Sequence, residues 1–143
     1  MAKHTEHRPF AQVVDRLKQA GLRPTRQRMA LAKLLCDEGD CHFTAEQLHG
    51  KAEASGIHVS LATIYNTLHQ FTRAVLLREI VVSPGSSYFD TNVSDHHHFY
   101  FEDRGELKDI HGDEIVIATI PEPPKGARVD RVDVIIRVRQ GQA

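Results

Sequence analysis

Residues Ser60-Leu-Ala-Thr-Ile-Tyr-Asn-Thr-Leu-His-Gln-Phe-Thr-Arg73, followed by Val75-Leu-Leu-Arg-Glu-Ile-Val-Val82, Pro84-Gly-Ser-Ser87 and Tyr88-Phe-Asp90, decide the fold. Leu61, Ile64, Leu68 and Phe71 recur at helical spacing on one stripe, and Ser60 is a residue type that caps a helix start. The opposite side carries Ala62, Thr63, Asn66, His69, Gln70 and Arg73, with Tyr65 at the border. Small and hydrogen-bonding groups in place of the usual Glu/Lys mixture suit a helix lying in a DNA major groove, although surface helices with such residues are common. After Arg73 the period becomes extended: 75–82 is β-branched and aliphatic, 84–87 is a turn, and 88–90 returns. A β-hairpin therefore follows the helix.

Upstream, Phe10, Val13, Val14, Leu17 and Ala20 predict a helix over roughly 9–20, stopped by Gly21. A second starts after Pro24, with Met29, Leu31, Ala32, Leu34 and Leu35 as its apolar positions and Gly39 as its end. Thr44 with Gln47 three residues on is a capping-box pattern opening a third helix that closes near Ser55-Gly56. Helices, then a recognition-type helix, then a hairpin make a winged helix-turn-helix over residues 1–91.

Thr91-Asn-Val-Ser-Asp95 is polar and turn-prone, which sets a second domain at 92–143. It holds short extended runs at 97–103 and 106–110, an apolar stretch at 114–120, a Pro-rich break at 121–126 and a final strand. In that strand Val132, Val134, Ile136 and Val138 alternate with Asp133, Ile135, Arg137 and Arg139, which predicts one buried and one largely polar face. About fifty residues with so few elements can hardly sustain a private core, so pairing with a second copy is the expected remedy. The fold class is α+β, a winged helix-turn-helix followed by a small α/β dimerisation domain.

The net charge of -1 hides an asymmetry. Met1 to Lys33 carries eight Lys/Arg against Glu6 and Asp15, a net of +6, and Ser83 to the C-terminus carries seven basic against eleven acidic residues, a net of -4. A basic head meets a polyanion more readily than an acidic tail does, although a solvated charged helix face has the same composition. No apolar run reaches the roughly 18–20 residues that span a bilayer, and Met1 to Pro9 is polar where a signal peptide is apolar. A cytoplasmic location without membrane contact is expected. Cys36 and Cys41 are the two cysteines and form no Cys-x-x-Cys pair, so no thiolate zinc site is expected. Cys36 reads as packed inside the second helix, and Cys41, beside His42, is better placed as a reactive thiol or ligand.

His96-His97-His98 heads into a strand, where His96 and His98 point one way and His97 the other. Two imidazoles on one face are half of a transition-metal site. Asp90, just across the domain boundary, and His42, just before the third helix, are candidates to complete it. Nitrogen ligands with one carboxylate suit Zn, Fe(II) or Mn. A solvated polar turn, or a proton switch without metal, fits the same run. His49, His58, His69 and His111 have no partner pattern and read as surface residues. Tyr65 fits two roles, a core aromatic or a contact with a thymine methyl or phosphate.

Gly21-Leu-Arg-Pro-Thr-Arg-Gln-Arg28, Cys41-His-Phe-Thr-Ala-Glu-Gln-Leu48, Ser60-Leu-Ala-Thr-Ile-Tyr-Asn-Thr-Leu68 and Tyr88-Phe-Asp90 with His96-His97-His98 resemble, in order and spacing, the ferric uptake regulator family. The resemblance implies DNA binding by the N-terminal winged helix, homodimerisation by the C-terminal domain, and a metal set by His42, Asp90, His96 and His98, Asp90 standing for a more usual glutamate. It implies DNA contacts by Arg23, Ser60, Ala62, Thr63, Tyr65 and Asn66, with Asn66 where many members have arginine. Phe101 and Arg104 replace the first Cys-x-x-Cys pair, and Val132 falls where a histidine ligand of a second metal site aligns. Those departures and the triple histidine resemble the iron response regulator branch, which uses haem as the iron signal. Haem on His96, His97 and His98, with Phe99, Tyr100 and Phe101 lending an apolar slot, is what that branch implies.

The sequence thus reads as an iron-responsive, dimeric transcriptional regulator of double-stranded operator DNA, controlled by haem or by a divalent Fe, Mn or Zn. A ferrous- or manganese-sensing repressor and a peroxide sensor share the ligands and differ in signal. A non-regulatory metal-binding interaction protein leaves the basic head unexplained. No general base or nucleophile motif supports an enzyme.

Overall fold

The computed structural model describes the backbone of residues 10–37 and 41–140 and the side chains of 12–35 and 41–140. The expected stop at Gly39 and the packing of Cys36 lie outside the described residues. The fold is mixed α+β, in two compact units, one reaching to Val93 and the other running from Ser94.

The first unit runs α1 (Phe10–Gln19), α2 (Arg26–Asp37), β1 (His42–Phe43), α3 (Ala45–Ala54), α4 (Leu61–Arg73), β2 (Arg78–Ser83) and β3 (Ser86–Asp90). The starts of α2, α3 and α4 each have a chemical cause. Thr25 Oγ1 accepts the Arg28 N–H at 3.2 Å. Thr44 accepts from the Gln47 N–H at 3.1 Å while the Gln47 side chain accepts from the Thr44 N–H at 2.9 Å, a full capping box for α3. Ser60 Oγ accepts the Thr63 N–H at 3.1 Å and caps α4. Gly21, at φ +76°, ends α1, and the Leu22 N–H returns to Leu17 O at 2.8 Å.

The apolar faces of these helices meet in one core, where Leu17, Leu31, Ile64, Leu68, Phe71 and Phe89 are fully buried. Burial of each contributes about 1.5–3 kcal/mol. Strands β1, β3 and β2 form an antiparallel sheet in that order. Phe43 and Phe89 are cross-strand partners with ring centroids 6.3 Å apart, and both join the helical core. One register step away, on the opposite face of the sheet, His42, Asp90 and Arg78 stand in a row.

The predicted strand at 75–82 begins later, at Arg78. Val75 adopts φ +58° and turns the chain out of α4, and the Leu76 N–H closes on Phe71 O at 3.0 Å. The β-branched run signalled an extended chain, but the helix terminus uses its first residues.

The second unit contains β4 (His96–Phe101), β5 (Glu106–His111), a short 3₁₀ turn at Gly112–Glu114 and β6 (Ile135–Val138). The sheet order is β5-β4-β6, with β4 antiparallel to β5 and parallel to β6. Residues 115–134 carry no regular structure. Leu107 and Ile110 are the only buried apolar side chains of this unit among the described residues, and Val116, Ile117, Ile120, Val129, Val132 and Ile136 are exposed. The expected buried face of the last strand is therefore not formed: Val132 precedes β6 and Ile136 stays exposed, because no helix among the described residues of the unit covers the sheet.

Candidate functional site

In the second unit, alternation along β4 puts His96 and His98 on one face, both buried, with ring centroids 4.5 Å apart. Across the ladder, His98 pairs with Asp109 on β5. Asp109 Oδ1 lies 3.6 Å from His96 Nε2 and 3.3 Å from His98 Nε2. The ligand atoms of these three residues all fall within 4.8 Å of one another.

The local hydrogen bonding of His96 suits this cluster to a cation. His96 Nδ1 lies 2.7 Å from Ser94 O, and since a carbonyl can only accept, Nδ1 carries the hydrogen. In the neutral ring Nε2 then presents a lone pair toward a carboxylate, two acceptors facing each other. A proton or a metal ion reconciles them. Fixing a ligand's second ring nitrogen on a backbone carbonyl is the usual support for a metal-binding histidine.

His97 points to the other face, where its Nδ1 accepts the Val134 N–H at 3.1 Å and ties β4 to the segment entering β6. Its sequence neighbours do not share its site. In the first unit, His42 is half-buried on β1 and Asp90 is buried on β3, directly opposite it. Asp90 Oδ1 accepts the Asn92 N–H at 2.9 Å, which fixes the carboxylate at the end of its strand. Cys41 precedes His42 and pairs with Thr91, whose N–H donates to Cys41 O at 3.0 Å while Thr91 Oγ1 accepts the Cys41 N–H at 3.0 Å.

Asp109 was not singled out in the sequence, where it is one acid among many. The signal lies in the hairpin: counting outward from the turn centre at Asp103-Arg104 reaches His98 and Asp109 together. The haem expectation finds no support in this geometry. His96 and His98 are 5% and 2% exposed, so neither imidazole offers an open face to a haem iron. Phe99 and Phe101 lie on His97's face, and the Arg104 guanidinium sits 4.3 Å from the Phe101 ring centroid.

The other candidates gather around α4. Ala62 and Asn66 are exposed, Thr63 is half-buried, and Ser60 and Thr63 share a 2.9 Å side-chain hydrogen bond besides the cap. Tyr65 is half-buried and its hydroxyl donates to Glu46 Oε1 at 2.7 Å. That hydrogen bond, then burial and the repulsion of the nearby carboxylate, raise the tyrosine pKa above its ordinary value. Arg23 is exposed on the α1–α2 loop. Arg28 links that loop to α4, its Nη1 donating to Arg23 O at 2.8 Å and its Nε to Gln70 Oε1 at 3.1 Å. Arg28, Gln70 and Glu46 were missed as supports because their partners are distant in sequence. Two histidines read as partnerless have partners: His49 Nε2 lies 2.9 Å from Val59 O, and His58 Nδ1 lies 3.1 Å from Glu53 Oε2.

The sequence profile described as the ferric uptake regulator family matches residues 19–132. The chain belongs to the ferric uptake regulator family. Family members are transcription regulators and not enzymes. The chain is similar to the peroxide operon regulator of Bacillus subtilis (strain 168), 34% identical over 100 residues that span 70% of this chain and 68% of that protein. It is also similar to the peroxide-responsive repressor PerR of Staphylococcus epidermidis, 34% identical over 95 residues, 66% of this chain and 63% of that one. The ferric uptake regulator of Pseudomonas aeruginosa, solved with manganese, shares the fold at a TM-score of 0.68 and 24% identity, covering 90% of this chain and 97% of that one. Both of these relatives in sequence are peroxide regulators, and neither bears out the finer resemblance to the iron response regulator branch. No helix among the described residues is long and apolar enough to cross a membrane.

Proposed function

We propose that this protein is a metal-dependent, peroxide-responsive repressor that binds operator DNA as a homodimer. The cluster of His96, His98 and Asp109 carries this reading, because two buried imidazoles and a carboxylate bring their ligand atoms together on one sheet face. His42 and Asp90 are the remaining ligands we assign to the same ion, giving three imidazoles and two carboxylates. An all-nitrogen-and-oxygen set suits Fe(II), Mn(II) or Zn(II). A bound ferrous ion would supply an electron to peroxide beside oxidisable imidazoles. The buried positions of His96 and His98 would keep both rings against a bound ion, and the Ser94 carbonyl holds His96 in the ligating tautomer. The similarity to named peroxide regulators supports the same reading.

For DNA, we assign α3 and α4 with the β2–β3 hairpin as a winged helix-turn-helix and α4 as its recognition helix. Ala62, Thr63, Tyr65 and Asn66 face the bases, Ser60 and Arg23 the backbone. Tyr65 spends its hydroxyl proton on Glu46, so it offers an aromatic edge and oxygen lone pairs, which suit a base edge better than a phosphate. The unit from Ser94 is the dimerisation domain, and the exposed Val116, Ile117, Ile120, Val129, Val132 and Ile136 are the apolar surface it offers a second copy. A cytoplasmic location accords with access to DNA.

The test uses duplexes selected by the Mn(II)-loaded protein from a random DNA pool, read by fluorescence anisotropy. Mn(II) should tighten binding over chelator-treated protein, and peroxide should release the Fe(II)-loaded form and spare the Mn(II)-loaded one. Equal affinity in all of these states would sink the proposal; metal dependence without peroxide release would leave a plain metal-sensing repressor.

A further inference from the structure

The row on the outer face of the β1-β3-β2 sheet contains a residue that the metal site as assigned does not use. Arg78 is the direct cross-strand partner of Asp90, on the side away from His42, and the two are 3% and 1% exposed. Directly opposed residues of an antiparallel pair share a face with Cβ atoms roughly 4.5–5.5 Å apart. A buried carboxylate is costly to ionise without a compensating cation, and a buried guanidinium is costly without an anion. The first residue of β2 thus brings a fixed positive charge to the carboxylate that we assign to the metal.

We propose that Arg78 is the resident counter-ion of Asp90, neutralising it while the site is empty and weakening the hold on metal when the site fills. The inference rests on Asp90 being a ligand. With metal bound, Asp90 already has a divalent partner, and the adjacent guanidinium then repels that ion across a poorly screened interior. Arg78 sets a threshold: the ion must bind beside a cation that is already in place. A site so built releases its metal at a higher free concentration than one with the same ligands and an uncharged neighbour. Arg78 contacts no metal in this scheme and is a positioning residue acting through Asp90.

The experiment is a Mn(II) titration of the full chain in four forms: wild type, Arg78→Gln, Arg78→Lys and Asp90→Asn. Arg78→Gln should bind Mn(II) at least about tenfold more tightly, about 1.4 kcal/mol, and Arg78→Lys, which keeps the charge, should stay within about threefold of wild type. A residue that only supports the fold would weaken binding on removal, so tighter binding separates the two roles. Unchanged or weaker binding by Arg78→Gln, with Asp90→Asn weakened, would overturn the role of Arg78 alone; unchanged binding by Asp90→Asn would remove the assigned ligand itself. Should Arg78→Gln fail to fold, metal-free melting decides: Asp90→Asn should lower the melting temperature by about 5 °C or more, and adding Arg78→Gln should restore most of it. No loss in Asp90→Asn would end the counter-ion proposal.

Discussion

Val75 offers a stability test whose size follows from the backbone. It is a β-branched residue at φ +58°, in the left-handed region where a Cβ crowds the following carbonyl at a cost of roughly 1–2 kcal/mol. The side chain is 62% exposed, so little burial offsets the strain. Full burial of a valine contributes about 1.5–3 kcal/mol, and the covered third of this one therefore about 0.6–1.1 kcal/mol. Val75→Asn relieves most of the strain, because asparagine tolerates this conformation, and keeps part of the contact. The net gain is about 0.5–1 kcal/mol, or about 2–4 °C in melting temperature for a chain of this length. Val75→Gly relieves the strain too, but gives up the whole contact and about 0.5–1 kcal/mol to the looser unfolded chain, so it should come out near zero. Val81, 57% exposed within regular β2, is the control: Val81→Asn carries no strain to relieve and should lower stability, since asparagine suits strands poorly. Thermal melts followed by circular dichroism, with urea titrations, give all three values. A lower melting temperature for Val75→Asn, or an equal gain from Val81→Asn, would show that Val75 carries no backbone strain.

Thr44→Ala removes one half of the α3 capping box and should cost about 1 kcal/mol in urea unfolding, with Gln47→Ala costing less because the threonine bond to the N3 amide survives. Glu46→Gln takes away the charged acceptor that raises the Tyr65 pKa; the neutral phenol loses its advantage, so tyrosinate absorbance for this residue should appear at lower pH than in wild type. Asp109→Asn keeps the shape of the cluster and removes its shared negative charge, so Mn(II) affinity should fall by at least about tenfold, with a Lys108→Gln control near wild type. Arg28→Ala unties the Arg23 loop from α4 and should weaken anisotropy-measured DNA binding about tenfold with little change in metal affinity.

The helices of the first unit were legible because their signals are local. Thr44 and Gln47, Ser60, Gly21 and the Ile64-Leu68-Phe71 stripe each act within one or two turns, and the structure uses them as read. His96 and His98 were legible as a pair for the same reason, since strand alternation alone puts them on one face. What escaped depends on register or on distant partners. Asp109 reaches the histidines only through the β4–β5 ladder, Glu46 reaches Tyr65 only through the packing of α3 on α4, and Arg78 meets Asp90 only after the hairpin closes. The last strand misled for a physical reason: alternation tells which residues share a face, and something outside this unit's own secondary structure must cover Val132 and Ile136.

On the proposed reading, His42, Asp90, His96, His98 and Asp109 hold a redox-active metal, and its reaction with peroxide leaves a mark on the ligands themselves. Peptide mass spectrometry of Fe(II)-loaded protein after hydrogen peroxide tests it most directly, with the Mn(II)-loaded protein treated in parallel. An added oxygen on His42, His96 or His98 in the iron form, absent in the manganese form, is the result expected. Unmodified histidines in both, with oxidation confined to methionine or to Cys41, would contradict it.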